Sequence, residues 1–92
     1  MPTFAIICRD RPDAGALRAE TRPRHLAYLR TLGERLEVVG PLMDEAGQSN
    51  GSLIIGRFDD LAAARAFAEA DPYALAGLFD SVTVSAWRRV GP

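Results

Sequence analysis

Three segments of this chain alternate like β-strands yet are apolar on both faces, and this limits its folds more than any other feature. In Thr3–Arg9, Phe4, Ile6 and Cys8 point one way while Ala5 and Ile7 point the other. In Ser52–Phe58, Leu53 and Ile55 oppose Ile54 and Phe58; in Ser81–Arg89, Val82, Val84 and Ala86 oppose Trp87. An antiparallel sheet with one face in water alternates apolar with polar residues. These strands therefore need cover on both sides, from a chain of only 92 residues.

The remaining segments complete the order strand, helix, strand, strand, helix, strand within one domain, residues 1–92. Asp10–Gly15 is a turn-rich exit, and Ala16–Thr21 is read as one short helical turn. The first main helix is expected over Pro23–Leu36, with Thr21 or Arg22 as N-cap and Pro23 in the first turn. His25, Leu29, Leu32 and Leu36 recur at helical spacing, Leu26 widens the stripe, and Gly33 loosens the end. Leu36 or Glu37 to Met43 forms the second strand. Gly40-Pro41 bends or interrupts it and assigns it to an edge or a bulge, because proline has no ladder donor. Asp44–Gly51 is a polar loop. Asp59-Asp60 caps a helix over Leu61–Ala70 with Leu61, Ala64, Phe67 and Ala68 as its apolar stripe, and Asp71-Pro72 restarts a short helical segment through Leu78.

Right-handed crossovers place both helices on the same side of a four-stranded sheet. No segment is left to cover the other side. A second copy of the sheet is the economical cover, and the contact is then isologous. The expected fold is α+β, β-α-β-β-α-β with an antiparallel four-stranded sheet, assembled as a homodimer. The alternative is a monomer that exposes an apolar face.

The ordered set Arg22-x-x-His25-x-x-Tyr28-Leu29, Gly40-Pro41-Leu42, Asp71-Pro72-Tyr73 and Ala76-Gly77-Leu78 resembles the YCII-related (YciI-like) family over nearly the whole chain. The resemblance implies a ferredoxin-like fold that dimerises into an α+β barrel. It also implies a His–Asp pair in a pocket, here His25 and Asp71. Relatives include a dehydrochlorinase of a chlorinated hydroxyquinol and, in the wider fold superfamily, muconolactone isomerases, and elimination or isomerisation of a cyclic or aromatic-derived acid would suit such a dyad. Asp10–Thr21 departs from the family pattern and is expected to shape the pocket mouth.

His25 is the only histidine. A carboxylate on one ring nitrogen fixes the tautomer and leaves the other nitrogen to take a proton. Asp71 is the carboxylate proposed, although an Asp before Pro is also a good helix cap, and the two roles are compatible. Arg22, one turn before His25, is either a solvated helix-end arginine or a bidentate clamp for an anionic substrate. Tyr28 either packs at the core edge or offers its hydroxyl to a ligand. Gly40 and Pro41 either bend the strand or let bare backbone approach a ligand. Tyr73 packs on the short helix or lines the pocket. The leading function is therefore a small-molecule enzyme in which His25 and Asp71 perform general acid–base proton transfer, with no cofactor; the alternative is a non-catalytic dimeric ligand-binding or accessory module.

Other classes are disfavoured. Net charge is −1, and the eleven basic residues, all arginine, form no dense run, which argues against nucleic acid. The absence of lysine with abundant alanine suggests GC-rich bacterial coding. One cysteine excludes an intrachain disulfide, and with one histidine it makes a zinc site improbable. Cys8 lies in an apolar strand and is expected to be buried and inert. No nucleophile elbow, glycine-rich phosphate loop, signal peptide or membrane-length apolar run is visible. A cytoplasmic location is expected.

Overall fold

Alternating apolar residues over Thr3–Asp10 form β1, the strand on which the fold is built. A computed structural model describes all 92 residues, Met1–Pro92. The elements that follow are α1 (Gly15–Leu29), a 3₁₀ segment (Arg30–Arg35), β2 (Leu36–Met43), β3 (Ser49–Arg57), α2 (Leu61–Glu69), α3 (Pro72–Leu75) and β4 (Phe79–Ala86). The strands make one antiparallel sheet in the order β2-β3-β1-β4. The α+β fold is the one the strand pattern predicts.

Register decides which face each side chain takes. Ile6 sits opposite both Ile54 and Val84, and Cys8 opposite Ser52 and Val82. Of these, Ile6, Cys8 and Ile54 join Phe4 and Phe58 against Leu29, Leu32, Ala64 and Ala68 in the core beneath the helices, with Val84 packed at its edge. Each fully buried Ile or Phe contributes about 1.5–3 kcal/mol. The opposite face carries Ala5, Ile7, Leu53, Ile55 and Val38, by the pairings Ala5–Ile55, Ile7–Leu53 and Val38–Ile55. Neither helix lies on that face; Val38 is 39% exposed, and Ile7 and Leu53 are half-buried.

The helices correct several expectations. The segment Ala16–Thr21 is not a separate turn: α1 begins at Gly15 and runs through Pro23, which lies inside the helix rather than in its first turn. An interior proline costs about 3 kcal/mol. Here a continuous buried face offsets that cost, because Arg18, Thr21, His25 and Leu29 recur at i, i+3, i+7 and i+11 and all are buried. Neither Thr21 nor Arg22 is a cap. Ala14 takes the N-cap position without a side-chain bond, and Thr21 is fully buried with its hydroxyl unpartnered. The α-helix ends at Leu29, earlier than Leu36. The chain then tightens into the 3₁₀ segment, which Gly33 breaks with φ 56° and ψ −129°.

Elsewhere the differences are smaller. β2 is an edge strand, as Gly40-Pro41 requires, but its register shifts fall at Leu36/Val38 and Leu42/Met43. The polar loop shrinks to a turn in which Asp44 Oδ1 accepts from the Ala46 and Gln48 N–H groups at 2.9 Å, so β3 starts at Ser49. Asp60 caps α2 through Ala63 N–H, and Asp71 caps α3 through Tyr73 N–H. Leu61 belongs to the exposed residues of α2, which buries Ala64 and Ala68 instead. The short helix stops at Leu75 and the last strand at Ala86.

Candidate active site

The buried face of α1 passes over the ends of β1 and β3 and meets α3, and this crossing assembles the site. Asp71 is held by its own local chemistry. Followed by Pro72, it takes the N-cap conformation, and its Oδ1 accepts from Tyr73 N–H at 2.9 Å. The same carboxylate stands 2.9 Å from His25 Nδ1 through either oxygen. A carboxylate can only accept, so Nδ1 carries the hydrogen and Nε2 is left as the acceptor. Asp71 is 1% exposed and His25 4%. The His25 ring also stacks on Tyr73, with centroids 4.0 Å apart.

His25 lines a cavity of about 430 Å³ between α1 and the β2–β3 side of the sheet. Arg18, Arg22, Leu26 and Leu29 form its helical wall; Val39, Gly40 and Pro41 of the edge strand face them. Ser49, Ser52 and Tyr73 also line it. Of the candidate residues, the cavity thus gathers His25, Arg22, Gly40, Pro41 and Tyr73, with Asp71 behind the imidazole. Tyr28 is not among them. It faces α2, where its hydroxyl donates to the Phe67 carbonyl at 2.8 Å and its ring stacks on Phe67 at 4.5 Å. Burial, then the Asp71 charge, raises its phenol above the ordinary value.

Sequence reasoning missed Arg18, Asp10 and Ser52. Arg18 Nε and Nη2 donate to the two oxygens of Asp10 at 2.6 and 2.9 Å, and Nη2 also donates to Ser52 Oγ at 2.9 Å. Its guanidinium lies 4.6 Å from the Tyr73 ring centre. Burial disfavours the Arg18 charge, but the Asp10 carboxylate outweighs it and the pKa rises. The available signal was spacing: Arg18, Arg22, His25 and Leu29 share one helix face, which a helix starting at Pro23 conceals.

Cys8, beneath this network, is pushed up to about 12, first by burial and then by the Asp71 charge, against the opposing pull of Arg18. At pH 8 about one thiol in ten thousand is ionised. Iodoacetamide should therefore label Cys8 at least about 100-fold faster in urea than in the folded protein; equal rates would show that the strand is open. The folded value lies above the ordinary 9.0, so this group's stabilisation is present below pH 9 and fades as pH rises towards 12. No group of three or more His, Cys, Asp or Glu side chains is placed to hold a metal ion. No helix is long and apolar enough to cross a membrane.

Residues 3–88 match the profile of the YCII-related domain. The chain belongs to the YCII-related family. Protein YciI of Escherichia coli O6:H1 is 36% identical over 95 residues, covering 95% of this chain and 97% of that one. An uncharacterized Haemophilus influenzae protein is 34% identical with the same coverage. Among solved structures, 5-chloro-2-hydroxyhydroquinone dehydrochlorinase from Burkholderia phenoliruptrix AC1100, in complex with 2,5-dihydroxybenzoquinone, superposes with TM-score 0.86 at 31% identity, over 94% of this chain and 93% of that one. A cofactor-independent oxygenase from Streptomyces nogalater shares the fold, with TM-score 0.66 at 16% identity, covering 100% and 99%. The fold is therefore shared with a dehydrochlorinase and with a cofactor-independent oxygenase.

Proposed function

We propose that this YCII-family protein is an acid–base enzyme that eliminates from, or isomerises, a small cyclic substrate. The observation that carries this reading is the 2.9 Å contact between Asp71 and His25 Nδ1 beside a cavity that the same imidazole lines. Asp71 orients the ring; Nε2 takes a proton from the substrate and returns it to the product or leaving group. Arg22, exposed at the cavity and outside the two ion pairs of the chain, attracts an anionic substrate group. Gly40 and Pro41 present backbone and a flat apolar wall to the ring.

The dehydrochlorinase supports this choice of chemistry, since its substrate is a chlorinated hydroxy-aromatic ring. The test is turnover of a panel of halogenated hydroquinones and unsaturated lactones. Conversion that disappears with His25 supports the proposal. Saturable binding of these rings without conversion of any would favour a ligand-binding module.

The same reading includes a homodimer closed through the sheet face that carries Ile7, Leu53 and Val38. Light scattering should give twice the 10.0 kDa chain mass. Ile7→Asp should return the monomer, because a carboxylate buried between two sheets lacks a partner. A wild-type monomer at micromolar concentration would overturn this assembly.

A further inference from the structure

The two edges of the sheet are built differently. β2, at one edge, carries Pro41 with a register shift on either side of it, features that keep a strand edge from pairing with another chain. β4, at the other edge, has its irregularity at its start, opposite Arg9 and Asp10, and Ser81–Ala86 then runs on without proline, lysine or any charge. Trp87 N–H donates to the Thr3 carbonyl at 3.0 Å, which continues the β1–β4 register. Hydrogen-bonded pairs recur at every second residue of an antiparallel ladder. Thr83 and Ser85 therefore bond to β1, while the N–H and C=O groups of Val82, Val84 and Ala86 point away from the sheet. Beside this free edge lies a groove of about 460 Å³ between β4 and α2. Val82, 42% exposed, and Val84 line it with Arg65 and Glu69, which stand one turn apart on α2. Arg65 and Glu69 are exposed, and neither belongs to an ion pair within the chain.

We propose that β4 pairs with β4 of a second copy about a two-fold axis through Val84, extending the sheet across two chains. Val84 then faces the partner's Val84, Val82 faces the partner's Ala86, and each pair exchanges N–H and C=O. The axis stands normal to the sheet, so both α2 helices lie on one side of it and run antiparallel. Arg65 meets the partner's Glu69, and Glu69 the partner's Arg65, because opposite charges one turn apart on a helix are self-complementary under such an axis. The exposed Val82 is buried in the same step. The contact leaves the sheet face with Ile7 and Leu53 free, so it adds to the face-to-face dimer and is independent of the acid–base reading. One strand edge with rim ion pairs falls below the roughly 1,200 Å² of a stable interface. Pairs of dimers therefore form towards millimolar concentration and separate on dilution.

Sedimentation equilibrium of the full chain tests this. The weight-average mass should equal two chains at low micromolar concentration and climb towards four at millimolar. Arg65→Glu makes both attractive pairs repulsive and should weaken the association about 10-fold or more, and Glu69→Arg should do the same. Combining the two substitutions restores opposite signs and should restore the association. Hydrogen exchange reports on the strand itself. In dilute protein the Thr83 and Ser85 amides should be protected and those of Val82, Val84 and Ala86 open; in concentrated protein all of them should be protected. Ile7→Asp, which opens the face-to-face dimer, should still double its mass with concentration, so failure of one contact is distinct from failure of the other. A mass that does not rise with concentration, or a combined variant that fails to rescue Arg65→Glu, would overturn the proposal. So would protection of Val82, Val84 and Ala86 at constant mass, which would mean an occupant other than a second copy.

Discussion

His25→Gln should lower turnover by about 10²–10⁴-fold on any substrate that the wild type converts, with KM changed little. Glutamine is the informative replacement. It can still donate an amide hydrogen to Asp71 and so keeps that buried carboxylate paired, and it fills part of the space beside Tyr73. It has no group that takes and returns a proton near neutral pH. A loss in kcat alone marks an interaction used in the transition state rather than in binding. His25→Ala should lose as much rate and also stability, since it leaves a hole and an unpaired carboxylate. Added imidazole should restore part of its turnover by occupying that hole. Wild-type kcat in His25→Gln would remove the histidine from the reaction.

Replacing Asp71 should separate structure from chemistry in a second way. In Asp71→Ala, the His25 Nδ1–H and Tyr73 N–H groups both lose a buried acceptor. The lost cap, which strands Tyr73 N–H, costs about 1 kcal/mol, and the stranded buried His25 donor costs about 1–3 kcal/mol. For a domain of this size, each kcal/mol lowers Tm by about 4–8 °C, so melting should fall by about 10 °C or more. Asp71→Asn keeps a cap oxygen for Tyr73 N–H and should melt within a few degrees of wild type. It lacks the charge that fixes the ring tautomer, so its turnover should drop by about 10²-fold or more. Full turnover in Asp71→Asn would reduce Asp71 to a helix cap.

These two variants probe residues that were legible beforehand, and the reason is local. The Asp71-Pro72 pair is a cap by its own chemistry, Asp60 before Leu61 is another, and Gly33 ends a helix by taking a positive φ. Strand faces follow from alternation alone, so Phe4, Ile6 and Cys8 against Ala5 and Ile7 needed no partner to be assigned. His25 with Asp71 was reachable through the ordered family motifs, since 46 positions separate the two and no spacing rule spans that interval.

Residues judged by local rules alone were misplaced where distant contacts outweighed those rules. Pro23 reads as a helix start because proline is poor in a helix interior, but the buried face from Arg18 to Leu29 carries the helix through it. Tyr28 sits one turn from His25, yet the Phe67 carbonyl on α2 captures its hydroxyl. Arg18 looks like one more arginine among eleven until Asp10, Ser52 and Tyr73 close around it. The chain therefore announces its own strands, caps and breaks, because these arise from the chemistry of neighbouring residues. Which side chains share a cavity depends on how α1 crosses the sheet, and that geometry comes from packing between elements far apart in sequence.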